Sequence, residues 1–337
     1  MFVFILKRFG VMVLTMALTS FLVFAVMEFS PGDVARKTLG PYVTQEQVDI
    51  LYDKLKLGDP LFVRYARWVG VLLGLIEDPL ADPSLGLGFE DSRGHRYFGN
   101  LGFSTLFKEP VNNIIWERLE NTGALAGLAY AIIVPLSILF GVLSGIREGS
   151  ALDRGLSLAG IVLTSIPEYA LGVFTVVIFV VMLGWLPGTS TLDDRSGWSV
   201  PSQMVLPVLV LVMYDFGYVA RMVRSAVIEV MGRQYVRTAV LKGLPRSTVI
   251  RVHVLRNAMI APFTVILLQI PFLISGVVVT EVVFAYPGFG RMLLDAALFG
   301  DITTVEAATL VAVFIAVSTQ IIGDIGYMYL NPRIRFT

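Results

Sequence analysis

No cysteine occurs among the 337 residues, and there are only two histidines, His95 and His253. The first absence removes disulfides, thiolate metal sites and thiol catalysis together. The two histidines stand far apart and on opposite sides of the topology read below, so a histidine-based metal cluster is excluded as well. Charge is the third scarcity: 15% of residues are charged against 55% hydrophobic, with a mean hydropathy of +0.75. That is too little charge to cover a soluble globule of this length, and the composition is that of an integral membrane protein. Net charge is zero, so overall electrostatics give no support to nucleic-acid binding and only local asymmetries of charge are informative. Three motifs are missing too: a G-x-x-x-x-G-K-[ST] phosphate loop, H-E-x-x-H and G-x-S-x-G. Nothing in the chain is expected to bind ATP or cut a bond unaided, and no catalytic residue, metal or cofactor is assigned.

What is present is apolar sequence in long runs. Lys7 and Arg8 precede an uncharged stretch, 9–27, long enough for one helix across a hydrocarbon core of about 30 Å. A cleaved signal peptide starts similarly, but the run is long and no small-x-small site follows, so an anchor is expected. Residues 30–120 are polar enough to lie outside the bilayer. Within them, Thr44 to Gln47 forms a capping box for a helix with Val48, Leu51 and Leu55 on one face. Asp59-Pro60 opens a second helix, striped by Leu61, Tyr65, Trp68 and Leu72. Residues 75–108 are rich in glycine, proline and charge, the composition of an irregular or short-stranded excursion.

Further spans are expected over 121–146, interrupted only by Pro135, over 155–192 with Glu168 as its single charge, over 201–223, over 257–283, and around the uncharged run 307–323. Six spans put both termini on one side. Lysine and arginine near the spans set the orientation. Lys7 and Arg8, Arg147 and Arg154, the segment 219–257 with eight lysines and arginines against Glu229 alone, and Arg333 with Arg335 all fall on one face. That face is expected to be cytoplasmic, and the 30–120 excursion, the turn at Asp193 and the loop 284–303 extracytoplasmic. The expected fold class is therefore an all-α membrane protein of six transmembrane helices with both termini cytoplasmic. Its parts are residues 1–29 (N-terminus and first span), 30–120 (excursion) and 121–337 (a core of five spans).

The segment 233–262, RQYVRTAVLKGLPRSTVIRVHVLRNAMIAP, separates two of these runs. Ala239, Val240 and Leu241 lead to Lys242-Gly243, where glycine can take the left-handed conformation that ends a helix, and Pro245 suits the first turn of the next. The second helix has an apolar side, Val249, Ile250, Val252, Val254 and Leu255, and a charged side, Arg246, Arg251 and Arg256. Such a short two-faced element suits a groove in another protein; a basic surface meeting anionic lipid is the plainer reading.

The spacing Arg237-Thr238-Ala239, three residues, Gly243, nine residues, His253-Val254-Leu255 resembles the coupling-loop signature of ABC-importer permeases, a Glu-Ala-Ala, Gly, Ile-x-Leu-Pro pattern. It departs from that pattern at its first two positions and at the final proline, where Arg256 stands. Tyr235 to Ala239, Lys242-Gly243-Leu244 and His253 to Ala258 look like the dipeptide, oligopeptide and nickel branch. Ser30-Pro31-Gly32-Asp33, Ala220-Arg221, Arg224-Ser225, Glu281 with Phe284, Pro287-Gly288-x-Gly290 and Pro332-Arg333-x-Arg335 agree, in order, across most of the chain.

This resemblance implies a non-catalytic, multi-pass inner-membrane subunit forming half of a pathway for di- or oligopeptides, with ATP hydrolysed by partner subunits. It implies as partners two ATP-binding subunits, a second homologous permease forming a heterodimer, and an extracytoplasmic solute-binding protein, besides membrane lipid. It assigns the ATPase-coupling role to Arg237, Thr238, Ala239, Lys242, Gly243, His253, Leu255 and Arg256 in the loop 233–257. Nickel complexes, glutathione or another small solute remain alternatives for the cargo. An ion-gradient-driven transporter would need paired inverted repeats, which are not found, and an intramembrane hydrolase a nucleophile–base pair. Four acidic residues, Glu168, Asp215, Glu281 and Asp324, lie in or beside spans; Asp215 and Glu281 are the candidates for the pathway, and only Asp215 sits near mid-span.

Overall fold

The structure, a computed structural model, describes residues 2–28, 44–78, 97–192 and 199–330. The motif at Ser30 to Asp33, most of the glycine-rich excursion, the turn at Asp193 and the basic tail with Arg333 and Arg335 lie outside the described residues. Helices make up nearly all the regular structure there, with one isolated antiparallel bridge, Phe103 to Pro110.

Among the described residues thirteen helical elements follow in order. They are α1 Phe2–Glu28, α2 Gln45–Leu55, α3 Leu61–Leu72, α4 Val111–Ile146, α5 Ala151–Ser165, α6 Glu168–Met182, α7 Ser199–Met231, α8 Gln234–Leu241, α9 Arg246–Ala258, α10 Ile260–Gly276, α11 Val278–Val283, α12 Phe289–Phe299 and α13 Ile302–Leu330. Four of them, α1, α4, α7 and α13, are long and apolar enough to cross a bilayer alone, and two bent pairs, α5 with α6 and α9 with α10, raise the number to as many as six. At 36 residues, α4 is about 54 Å long, so it extends well beyond a hydrocarbon core of about 30 Å. It starts ten residues before the uncharged run, carrying Glu117, Arg118 and Glu120 in its first turns.

Two expected spans are not continuous helices. The run 155–192 bends by 98° between α5 and α6. Ile166 is extended there, as the residue before a proline prefers, and Pro167 caps α6. The run 257–283 is interrupted at Met259 and again at Val277, and α9 meets α10 at a 46° bend. Another departure is α12, a helix within the stretch read as a plain loop.

The chain divides into two compact units, residues 1–121 with 288–315, and residues 122–287 with 316–337. In the first, the aromatic stripe of α3 packs on α1: Tyr65 lies edge-on to Phe21 and Phe24, Phe62 stacks on Phe21, and the Tyr65 hydroxyl lies 2.6 Å from that of Ser20. Pro60 caps α3 from just outside it, and Arg67 reaches back to Asp59 at 2.5 Å. A separate cluster joins Val111, Ile114 and Ile115 of α4 to Phe289 and Met292 of α12 and Ala307 and Ala308 of α13. Beside it Asp301 caps α13, accepting from the backbone and hydroxyl of Thr304, and also takes the Ser104 hydroxyl at 2.5 Å. One carboxylate thus pins the described end of the excursion to a helix terminus.

In the second unit, valines four apart on α7, Val219, Val223 and Val227, are buried in the largest cluster. Opposite them on α4 stand Gly141 and Gly145, where an added Cβ would lie 2.6 Å from Val223 and 2.8 Å from Val227. Small residues at this spacing let two membrane helices approach closely, and van der Waals packing supplies the attraction that lipid cannot. Gly160 of α5 and Gly217 of α7 meet backbone to backbone in the same way.

Candidate functional site

The loop after α7 is built on a buried seam. Val236 and Ala239 of α8 and Val249, Val254 and Ala258 of α9 join the valine cluster of α7. Between them Gly243 takes φ +72°, with the Lys242 and Gly243 amides closing the turn onto Thr238 and Val240. Pro245 sits at the cap of α9, one position before its first turn. Residues 249–255 are wound as a π-helix. In that wider winding residues five apart share a face, which explains why Val249 and Val254 are both buried. Val252, expected on the apolar side, is instead exposed, while Ile250 and Leu255 are half-buried.

This geometry sorts the residues assigned to coupling. Arg237, Thr238, Lys242, Gly243 and Arg256 are exposed, His253 and Leu255 are half-buried, and Ala239 is buried in the seam. The apolar residues at the tip, Val240 at 59%, Leu241 at 79% and Leu244 at 38% exposure, were missed by sequence reasoning. A signal existed for Leu241, five residues after Val236 and off the face that Val236 and Ala239 define, but not for Val240, which helical spacing places beside Val236.

The two pathway candidates are in different surroundings. Glu281 is fully buried and accepts the Thr122 hydroxyl at 2.5 Å, next to Thr280, whose hydroxyl donates to Glu168 at 2.5 Å. These carboxyl groups tie α4 and α6 to α11. Asp215, the midpoint of α7, lines an open cleft of about 340 Å³ with Thr164, Tyr214, Tyr218, Arg221 and Gln269. Gln269 donates to Asp215 at 3.3 Å, and Arg221 donates to the Gly217 carbonyl and to the Thr164 hydroxyl at 3.1 and 3.3 Å. Apart from Asp215, these lining residues were not singled out as pathway residues, although 214, 218 and 221 have the spacing of one helix face.

Residues 137–336 match the family model described as binding-protein-dependent transport system inner membrane component, and residues 1–126 match the model of the N-terminal part of such components. The chain belongs to this family. It is a multi-pass inner-membrane permease of the ABC-importer type. An oligopeptide transport system permease of Bacillus subtilis is 30% identical, covering 93% of each chain, and a di/tripeptide transport system permease of Pseudomonas aeruginosa is 30% identical, covering 98% of each. An amino acid ABC transporter crystallised with histidines superposes with a TM-score of 0.51 at 12% identity, covering 65% of this permease and 94% of that chain. An inward-facing methionine ABC transporter gives 0.50 at 18%, covering 66% and 96%. At those identities the likeness concerns the fold.

Proposed function

We propose that this permease is one membrane subunit of a peptide importer and that it is driven through the loop 233–257. The observation that carries the reading is the tip itself. Three exposed aliphatic residues and four nearby cations, Arg237, Lys242, Arg246 and Arg251, surround a turn whose stem is fastened by buried valines to α7. A stiff knob on a long helix can transmit a push, whereas a flexible basic tether would absorb it. Peptides are the proposed cargo because the Bacillus subtilis and Pseudomonas aeruginosa relatives carry peptide transport in their names.

The rest follows the family pattern as part of the same proposal. Two ATP-binding subunits hydrolyse ATP and dock on the loop, a second homologous permease completes the pathway, and an extracytoplasmic solute-binding protein delivers the cargo. The six spans are α1, α4, the pair α5 and α6, α7, the pair α9 and α10, and α13, with both termini cytoplasmic by the lysine and arginine asymmetry. Residues 1–29, 30–120 and 121–337 are then first span, extracytoplasmic excursion and transport core. Val240→Asp with Leu241→Asp tests the docking: ATP-binding subunits should be lost on purification while the partner permease is retained. Full retention together with full peptide uptake would overturn it.

A further inference from the structure

We infer that the cleft lined by Asp215 and Arg221 is an intramembrane binding site for the two charged ends of a short peptide, Asp215 receiving the α-ammonium and Arg221 the α-carboxylate. The inference rests on the peptide-import reading above and adds the site and its chemistry. Ionisable side chains near the middle of a spanning helix are costly unless they pair or face a polar pathway. Asp215 and Arg221 do not pair with each other: among the described residues Asp215 has only Gln269 as a side-chain partner, and Arg221 has only an uncharged carbonyl and a hydroxyl. One carboxylate oxygen and one guanidinium nitrogen therefore keep hydrogen-bonding capacity for something else, in a cleft to which Tyr214, Tyr218 and Thr164 add neutral polar groups.

The dimensions select the ligand. Asp215 and Arg221 are six residues apart on α7, about 9 Å along the axis, and the Arg221 guanidinium folds back to the Gly217 carbonyl, so the two charged heads are closer along the axis than that. An extended chain spans at most about 3.3 to 3.6 Å per residue, so a zwitterion bridging both groups needs no more than two or three residues. The cleft, about 340 Å³, lies at the small end of the roughly 300–1,000 Å³ range of small-molecule sites. Opposite charges at opposite ends also fix the direction in which the peptide lies. Side chains would meet aromatic rings and open space, which places few demands on sequence. A site of this kind reads termini and length.

The test uses the assembled complex in lipid nanodiscs without binding protein, so that selection by the binding protein does not enter. Binding of radiolabelled trialanine is displaced by trialanine, N-acetyl-trialanine and trialanine amide. In the wild type, blocking either end should weaken displacement about 10- to 100-fold, the loss of one charge-assisted contact. Asp215→Asn should abolish the penalty for N-acetylation and keep that for amidation; Arg221→Gln should do the reverse. The wild-type comparison needs no variant, so a misfolded substitution leaves the inference exposed. No saturable binding up to millimolar trialanine, wild-type displacement indifferent to end groups, or penalties unchanged in both variants would each overturn it. Binding-protein-driven uptake in the same preparation separates the two levels. Trialanine uptake combined with any of those results sinks the cleft alone, while failure to import trialanine and longer peptides sinks the peptide reading and the cleft with it.

Discussion

Arg224 holds Asp153 in a two-pronged contact, Nε to Oδ1 at 2.6 Å and Nη2 to Oδ2 at 2.9 Å. The same carboxylate accepts from the Ser144 hydroxyl and from the Gly149 amide at 2.9 Å. One nearly buried aspartate thus joins the end of α4, the turn before α5 and the second half of α7, the helix that leads into the loop at Gly243. The fork geometry is specific to arginine.

Removing that carboxylate should loosen all three elements. Asp153→Ala is expected to cost roughly 1.5 to 3 kcal/mol, the range for hydrogen bonds to charged groups, seen as lower resistance of the purified permease to denaturant. Arg224→Lys should keep the charge and lose the fork, giving a smaller loss. A double-mutant cycle with Asp153→Ala and Arg224→Ala checks the pair; a coupling energy near zero would show that the contact contributes nothing.

The glycine contact between α5 and α7 is asymmetric. A Cβ on Gly217 would lie 2.4 Å from the Gly160 carbonyl oxygen, whereas one on Gly160 would lie 3.3 Å from the Gly217 Cα. Gly217→Ala should therefore force the helices apart at a cost of about 1 to 3 kcal/mol. For Gly160→Ala the crowding is offset by a helix-propensity gain of about 1 kcal/mol, so the result should be near neutral. Gly123→Ala on α4 meets nothing within 4 Å and serves as the harmless control. Thermal stability in detergent ranks the three, and equal effects at 160 and 217 would contradict the geometry.

At Gly243 the obstacle is conformational, since an added Cβ would meet nothing within 4 Å while φ is +72°. Valine there should strain the turn by about 1 to 2 kcal/mol and re-aim α9, lowering peptide uptake and ATPase co-purification with membrane insertion intact. Asparagine tolerates the left-handed region, so Gly243→Asn should restore most of the uptake. Arg237→Ala, one exposed charge among several, should be milder, worth about 0 to 1 kcal/mol. Full uptake by Gly243→Val at matched expression would remove the coupling-turn assignment.

Topology can be read by single cysteines, because the chain has none of its own. Ser247 is exposed on the loop, and Phe98 is 83% exposed in the excursion. An impermeant thiol reagent on intact cells should label Phe98→Cys and leave Ser247→Cys untouched until the membrane is opened. The opposite pattern would invert the proposed orientation.

Composition and the length of apolar runs determined by themselves that this is a helical membrane protein, because burial in lipid requires long uncharged segments whatever their neighbours are. The family was legible for a related reason: a helix, a glycine at a set distance and a second helix form a local pattern, and Gly243 has the positive φ that the pattern requires. The 98° break before Pro167 and the π-winding of 249–255 were not legible. Proline in a membrane helix is compatible with either a kink or a full break, and hydropathy does not distinguish windings. Which side chains of the loop are left exposed was likewise decided by packing: Ala239 turned into the seam and Leu241 out of it because the valines of α7 occupy one side. The cleft is the clearest case. Asp215 and Arg221 stand six residues apart on one helix and carry opposite charges, which the sequence shows, but that Thr164 of α5 and Gln269 of α10 bond to them and complete the cleft was decided only by packing, since those partners lie more than fifty residues away in the chain.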